Sequence, residues 1–232
     1  MTDIGNRYEI SSLTNDKVKL INSLNHRKYR REHKLFVAEG VRICREAAEN
    51  GWKIRYLLYD NLNVDTHVIE NLINDVLCLG ADVIGVTSEI LSKISHKENP
   101  QNVLCVIGQK WNDLPTIIKE KTFVALETVR DPGNLGTILR TMDGVGATDC
   151  ILLDECTDPF SYESVRASMG AIFNVNIIAS SSKNFLKWKS KHKISLIGTS
   201  LINSNDYTKT NWQLPFVLVM GNEQQGLTHN IL

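Results

Sequence analysis

Four short and almost wholly apolar runs punctuate the second half of the chain, at Phe123–Leu126, Cys150–Leu153, Ile194–Ile197 and Phe216–Met220. Helix-like stretches lie between them, at Asn134–Val145, Ser164–Met169 and Asn184–Lys191. A strand that does not alternate apolar with polar must be covered on both faces. Helices placed between such strands return the chain so that the next strand runs parallel. The pattern therefore predicts an α/β fold with a parallel sheet, whose ligands belong off the carboxyl ends of its strands.

The first half alternates helix and strand signals of its own. Leu13–Leu24 spaces Leu13, Val18, Leu20, Ile21 and Leu24 as a helix would, behind Ser11 and Ser12 as N-caps. Val37–Asn50 repeats that spacing with Val41, Ile43, Cys44, Ala47 and Ala48, and Gly51 ends it. Strand-like runs follow at Ile54–Tyr59, Val83–Val86 and Val103–Ile107, with a short helix from Thr87 or Ser88 through Ile94. Two units are expected. Residues 1–107 form a smaller α/β domain, 108–121 a connection that is partly helical, and 122–232 a second domain.

Lys plus Arg and Asp plus Glu number 26 each, so a surface for a polyanion must come from local clustering. The segment Asn25–Lys34 supplies one, with Arg27, Lys28, Arg30, Arg31 and Lys34 around Tyr29 and a single opposing Glu32. Basic residues interleaved with an aromatic suit phosphate contact plus base stacking. The competing reading is a solvated basic helix end. The basic run Lys187–Lys193 reads as plain surface. Cys44, Cys78, Cys105, Cys150 and Cys156 are scattered, form no C-x-x-C pair, and read as reduced thiols. No His, Cys and carboxylate cluster has ligand spacing, so no metal is expected. The N-terminal MTDIGNRYEI lacks the apolar stretch of a signal peptide, and the apolar runs are too short to span a bilayer. A soluble, cytoplasmic protein is expected.

Two stretches carry chemistry. In the first, a strand ends at Glu127, Asp131-Pro132-Gly133 turns, and Asn134-Leu135-Gly136 opens a helix in which Gly136 permits close backbone approach. No G-x-G-x-x-G and no G-K-[ST] is present, so neither a dinucleotide fingerprint nor a phosphate-binding Walker loop is involved. Read from its residues alone, this is either a structural strand-to-helix turn followed by a solvent-facing Arg140, the favoured reading, or a turn where Asn134 and an extended Arg140 both reach a ligand at the helix's N-terminal end. In the second, Phe216–Met220 runs into Gly221-Asn222-Glu223 and Gly226 closes the loop. Such a loop offers main-chain groups to an adenosine, whereas a lone Glu223 in a turn is ordinarily just solvated.

Taken in order, four segments resemble the SpoU family of RNA methyltransferases, part of the SPOUT class. Phe36-Val37-Ala38-Glu39-Gly40 is similar to the F-V-x-E-G of the family's substrate-binding domain. Asp131 to Arg140 matches D-P-G-N-x-G-T-x-x-R, Arg166 to Phe173 matches R-A-S-x-G-A-x-F, and Val219 to Leu227 matches V-M-G-N-E-x-x-G-L. The resemblance implies a trefoil-knotted, parallel-sheet catalytic domain behind a smaller RNA-binding domain. It also implies S-adenosylmethionine-dependent 2′-O-ribose methylation of structured RNA, ribosomal before transfer RNA, by a homodimer joined through the catalytic domain. By the same matching, Arg140 helps the ribose hydroxyl lose its proton, while Asn134 and Glu223 shape the pocket. Thr199, Ser200, Leu201, Gly221, Asn222 and Gly226 line the cofactor loops, and Arg166 joins the basic segment on RNA. Glu163 and Asn174 stand where the family often carries Lys and Arg. The family's third motif, an I-P-M strand and an S-L-N helix, is absent up to Leu232, which reads as a sequence cut short, a disordered tail or a copy that has lost the motif, the first two being favoured. The rival reading is a non-catalytic RNA-binding protein that keeps the fold.

Overall fold

The structure, a computed structural model, describes residues 4–201 and 204–231. Its first half contains β1 (Arg7–Ile10), α1 (Asp16–Ser23), α2 (Arg27–His33), β2 (Leu35–Glu39), α3 (Val41–Glu49), β3 (Ile54–Asp60), α4 (Thr66–Cys78), β4 (Asp82–Val86), α5 (Ser88–Ser95) and β5 (Val103–Gly108). The strands form one mixed sheet in the order β1-β4-β3-β5-β2, with β5 antiparallel to both neighbours. The helical spacing read over Val37–Asn50 is corrected here. Leu35–Ala38 is buried on both faces and pairs with β5, so the chain is a strand to Glu39 and a helix only from Val41. The cap of α1 is Asn15, whose side chain accepts from the Lys17 N–H, rather than Ser11 or Ser12.

The second half contains β6 (Thr122–Glu127), α6 (Pro132–Gly144), β7 (Asp149–Leu153), α7 (Tyr162–Ser168), β8 (Asn176–Ser180), α8 (Ser182–His192), β9 (Ser195–Gly198) and β10 (Phe216–Met220), with short 3₁₀ turns at Ala171–Phe173 and Tyr207–Lys209. Its sheet is parallel throughout, in the order β8-β7-β6-β10-β9. Successive side chains take opposite faces. Val124, Leu126, Cys150 and Leu152 pack with α6 and α7 residues on one face; Phe123, Ala125, Ile151 and Leu153 pack with Phe185 and Trp188 of α8 on the other. That two-sided burial is the physical reason the runs lack alternation. Strand order reverses between β6 and β10, the switch point where ligands of open parallel sheets bind.

One apolar core joins the halves. Phe36 of β2, Trp52, Phe160 and Phe173 interlock, with Phe36–Phe160 centroids 4.9 Å apart and the Trp52 indole N–H donating to the Phe173 carbonyl at 3.0 Å. The connection at 109–121 is not helical, contrary to expectation. Asn112 donates to the Ile177 carbonyl at 2.8 Å and bridges Ile178 on the free edge of β8, Leu114 and Ile118 pack on the α8 side, and the Pro115 carbonyl accepts from Trp188 at 2.7 Å. Cys44, Cys105, Cys150 and Cys156 are buried free thiols and Cys78 is exposed; burial pushes the Cys105 and Cys150 thiols up, which keeps them unreactive.

Candidate active site

The site is assembled at the carboxyl ends of β6 and β10. Asp131 caps α6, its carboxylate accepting from the Asn134 N–H at 2.6 Å, and Pro132 at the first helical turn forfeits an N–H that would go unbonded there anyway. Gly136 faces α7 so closely that a Cβ would sit 2.5 Å from the Ala167 Cβ and 2.7 Å from the Ser164 carbonyl oxygen. Glycine there lets α7 press against α6, which fixes the direction of the helix that carries Asn134 and Arg140.

The second loop folds back onto the first. Asn222 and Gly226 exchange backbone hydrogen bonds at 3.0 and 2.9 Å, and the Asn222 side chain accepts from the Gln224 and Gln225 N–H groups. A Cβ on Gly221 would lie 2.1 Å from the Gly226 backbone, so only glycine closes this loop. Asn222 also donates its side-chain amide to the Thr128 carbonyl at 3.0 Å. The Glu223 carboxylate accepts from the Asn134 side chain at 3.1 Å and from the Asp131 and Arg130 N–H groups at 3.3 and 3.4 Å. Partial burial raises its pKa, yet hydrogen bonds from its own N–H, Asn134, Asp131 and Arg130 outweigh that, and the carboxyl is held below its ordinary value. Glu223, although exposed, is thus hydrogen-bonded across to the first motif and forms the clasp between the two.

Arg140 is exposed and makes no hydrogen bond or ion pair among the described residues. It stands two turns along α6 from the clasp, with its guanidinium uncommitted. On the other side of β10 lies a cavity of about 720 Å³. Leu196, Ile197, Leu218 and Ile231 give it apolar walls, and Thr199, Ser200, Trp212 and His229 line it as well. Thr199 is fixed by its N–H donating to the Val219 carbonyl at 3.0 Å, whereas Leu201 is fully exposed. Leu218, Trp212, His229 and Ile231 escaped sequence reasoning; Leu218 sits inside a run that reads only as strand.

Glu127 escaped it too. Its carboxylate, 2% exposed at the end of β6, accepts from the Thr228 N–H at 2.8 Å and hydroxyl at 2.6 Å and so ties down the segment that ends in the cavity wall. An acid closing an otherwise apolar strand was the available signal. Among the described residues no group of His, Cys, Asp and Glu could hold a metal ion.

The basic segment is split by the fold. Arg27, Lys28 and Arg31 are exposed on α2, with the Lys28 ammonium 5.5 Å from the Tyr29 ring centroid. Arg30 is corrected: it is 5% exposed, its Nη2 and Nε lie 2.8 and 2.9 Å from one Asp158 oxygen, and its Nη1 donates to the Leu24 and Asn25 carbonyls. With its donors spent inside the protein, Arg30 anchors α2 to the loop after β7 and is not free to grip RNA. Arg166 is exposed on α7 and faces the other way, into a groove of about 340 Å³ shared with Arg42 and Lys97 of the first half.

Residues 121–232 match the model of the SpoU rRNA methylase family, and residues 15–105 match that of an MRM3-like substrate binding domain. The structure superposes with a TM-score of 0.90 on an rRNA methyltransferase from Sinorhizobium meliloti, 39% identical over 97% of this chain and 86% of that one. The chain belongs to the SpoU rRNA methylase family. An AdoMet-bound rRNA methyltransferase from Sinorhizobium meliloti, 39% identical over 97% of this chain and 84% of that one, superposes at 0.89. Among curated relatives, the 23S rRNA (guanosine(2553)-2′-O)-methyltransferase RlmP of Bacillus subtilis is 25% identical over 97% of this chain and 86% of its own length. A putative TrmH family tRNA/rRNA methyltransferase of Staphylococcus saprophyticus is 30% identical over 83% of this chain and 80% of its own length. The family resemblance read from the four motifs is borne out, and this chain is a SpoU-type methyltransferase.

Proposed function

We propose that this chain methylates the 2′-oxygen of a ribose in ribosomal RNA, with S-adenosylmethionine as its methyl donor. The observation that carries the reading is the clasp of Glu223 on Asn134 and the Asp131 turn, with an uncommitted Arg140 on the same helix and a large cavity beside it. The residues fit an adenosine-bearing cofactor. Apolar side chains of Leu196, Ile197, Leu218 and Ile231 suit the faces of a purine, Thr199 and Ser200 offer polar atoms at one side, and the loop closed at Gly221 places backbone groups at the end of β10. When bound, S-adenosylmethionine supplies a methyl group activated on a sulfonium.

The protein's own residues have to position a ribose hydroxyl and favour the charge that grows on its oxygen. Arg140 keeps its positive charge throughout, so it holds a phosphate or stabilises the developing alkoxide; it does not itself take the proton while its guanidinium stays charged. The Glu223 clasp fixes the start of α6, which sets where Arg140 reaches, and alignment of this kind lowers barriers by about 7–11 kcal/mol in favourable cases. Residues 1–107 serve as the RNA-binding domain, 108–121 as the connection and 122–232 as the methyltransferase domain, with Arg27, Lys28, Arg31 and Arg166 on RNA. A trefoil knot, a homodimer through the catalytic domain, transfer RNA as the next substrate and a cytoplasmic location complete the proposal. No helix among the described residues is long and apolar enough to cross a membrane.

Calorimetric titration of S-adenosylmethionine, paired with methyl transfer to ribosomal RNA, tests the reading. The protein and its Arg140→Ala variant should bind the cofactor alike, while kcat in the variant falls by roughly 10²–10³. Absence of cofactor binding in the unaltered protein would discard methyl transfer for an RNA-binding role.

A further inference from the structure

Trp111, on the connection between the halves, is 46% exposed. Neither the motifs nor the clasp accounts for it. Its indole plane is held from two sides: the Phe160 ring meets it edge-on at 5.1 Å and 84°, and its N–H donates to the Gln109 side-chain oxygen at 3.2 Å. The Gln109 amide in turn donates to the Arg30 and Leu35 carbonyls at 3.2 and 3.3 Å, so the ring is tied to the end of α2. Arg27 and Arg31, four residues apart and hence on one face of α2, line the same depression of about 100 Å³ with Trp111, Pro159 and Ala179. Asp158 below it is consumed by Arg30, and Asp154 at its rim is bonded to the Ser182 N–H and hydroxyl. Two exposed guanidiniums stand beside this preset aromatic surface: that of Arg31 makes no hydrogen bond or ion pair among the described residues, and that of Arg27 makes one long donation, to the Cys156 carbonyl at 3.5 Å.

From this juxtaposition we infer that Trp111, Arg27 and Arg31 form a subsite for an unpaired nucleotide of the RNA substrate, its base stacked on Trp111 and its phosphates met by the two arginines. The inference rests on the RNA-methyltransferase reading and adds to it a place and a form of RNA. Aromatic stacking with flanking cations is how single-stranded or splayed-out bases are held, because every base offers a π-face. The depression opens at the carboxyl ends of β7 and β8, the same edge of the parallel sheet as the clasp. Strands about 4.8 Å apart put it roughly 10 Å along that edge from the switch point, so one strand of RNA passes from subsite to site in a few nucleotides. A duplex would not present an open base face there.

Fluorescence anisotropy with an unpaired RNA oligomer, and KM and kcat for ribosomal RNA, test the subsite in the whole protein. Trp111→Ala should weaken oligomer binding and raise KM by about tenfold, within the range seen when a stacking aromatic is removed, with kcat unchanged. Trp111→Phe should restore most of the binding. Arg27→Ala with Arg31→Ala should weaken binding and flatten its dependence on salt. Unchanged RNA affinity in a folded Trp111→Ala or in the double arginine variant overturns the subsite, as does an equal loss in Trp111→Phe. Cofactor titration separates the two levels: if the unaltered protein binds no S-adenosylmethionine, the enzymatic reading fails, while the anisotropy still decides whether Trp111 stacks a base.

Discussion

The two sheets end a central strand in the same way and use that ending differently. In the mixed sheet, β3 closes on Asp60, 2% exposed, whose carboxylate accepts from the Leu62 and Asn63 N–H groups, the Asn63 side chain and the Ser88 hydroxyl. All these partners lie within its own half. In the parallel sheet, β6 closes on Glu127, equally buried, whose partner is Thr228, 101 residues further along the chain. Glu223 likewise reaches back 89 residues to Asn134. Asp60 closes a strand end within its own half, whereas Glu127 and Glu223 draw distant segments of the chain together at the candidate site. The difference singles out the carboxyl ends of β6 and β10 without appeal to the motifs.

The largest way to break this comparison is to separate the halves. Asp158→Ala leaves Arg30 charged, buried and unpaired, and should cost about 3–5 kcal/mol, read as a lower urea midpoint. Unchanged stability would mean the halves are not coupled through that pair. Next, Asp60→Ala and Glu127→Ala should each cost about 1–3 kcal/mol, because each deletes hydrogen bonds to a buried, charged carboxylate. Only Glu127→Ala should also weaken S-adenosylmethionine binding, since it releases Thr228 and with it His229 and Ile231 of the cavity; equal cofactor affinity in both variants would erase the distinction. Gly221→Ala, which drives a Cβ into the Gly226 backbone, should cost about 1–3 kcal/mol and loosen the Glu223 clasp, seen as faster amide exchange at Asp131.

The smallest effect is in acid. The carboxyls of Asp60 and Glu223 are both held below their ordinary values: in each, burial raises the pKa but the donated hydrogen bonds outweigh it. A lowered folded pKa means a contribution that is complete above the unfolded value of about 4 and is lost as pH falls through the folded one. Amide protection at Leu62 and at Asp131 should therefore decline only below about pH 4, and Glu223→Gln should remove that decline at Asp131 alone. Protection that falls already at neutral pH would contradict both assignments.

Much of the parallel half was legible because its determinants are local. Apolar runs set β6, β7 and β10, Pro132 and Asp131 mark the start of α6, and the motif residues sit where loops at strand ends must be. The mixed half was less so. Helical spacing over Val37–Asn50 masked a strand, because Phe36–Ala38 are buried for reasons of sheet position that no periodicity expresses. Helix α4, with Ile69, Leu72, Ile73 and Val76 on one face, carried the spacing and went unread. Arg30 could not have been distinguished from Arg27 or Arg31 by sequence, since its burial depends on an aspartate 128 residues away. For the same reason Asn134 and Glu223 were both singled out while their contact was not.

The way the connection is laid down has one more consequence. An outermost strand exposes a row of backbone donors and acceptors that invites pairing with another chain, and proteins guard such edges with covering segments. β8 is outermost in the parallel sheet, and Asn112 occupies part of its rim, backed by Pro115, which has no N–H to offer a newcomer. The stretch that joins the halves is therefore also a guard against aggregation: peeling it away would unmask a strand whose neighbours are among the most apolar in the molecule.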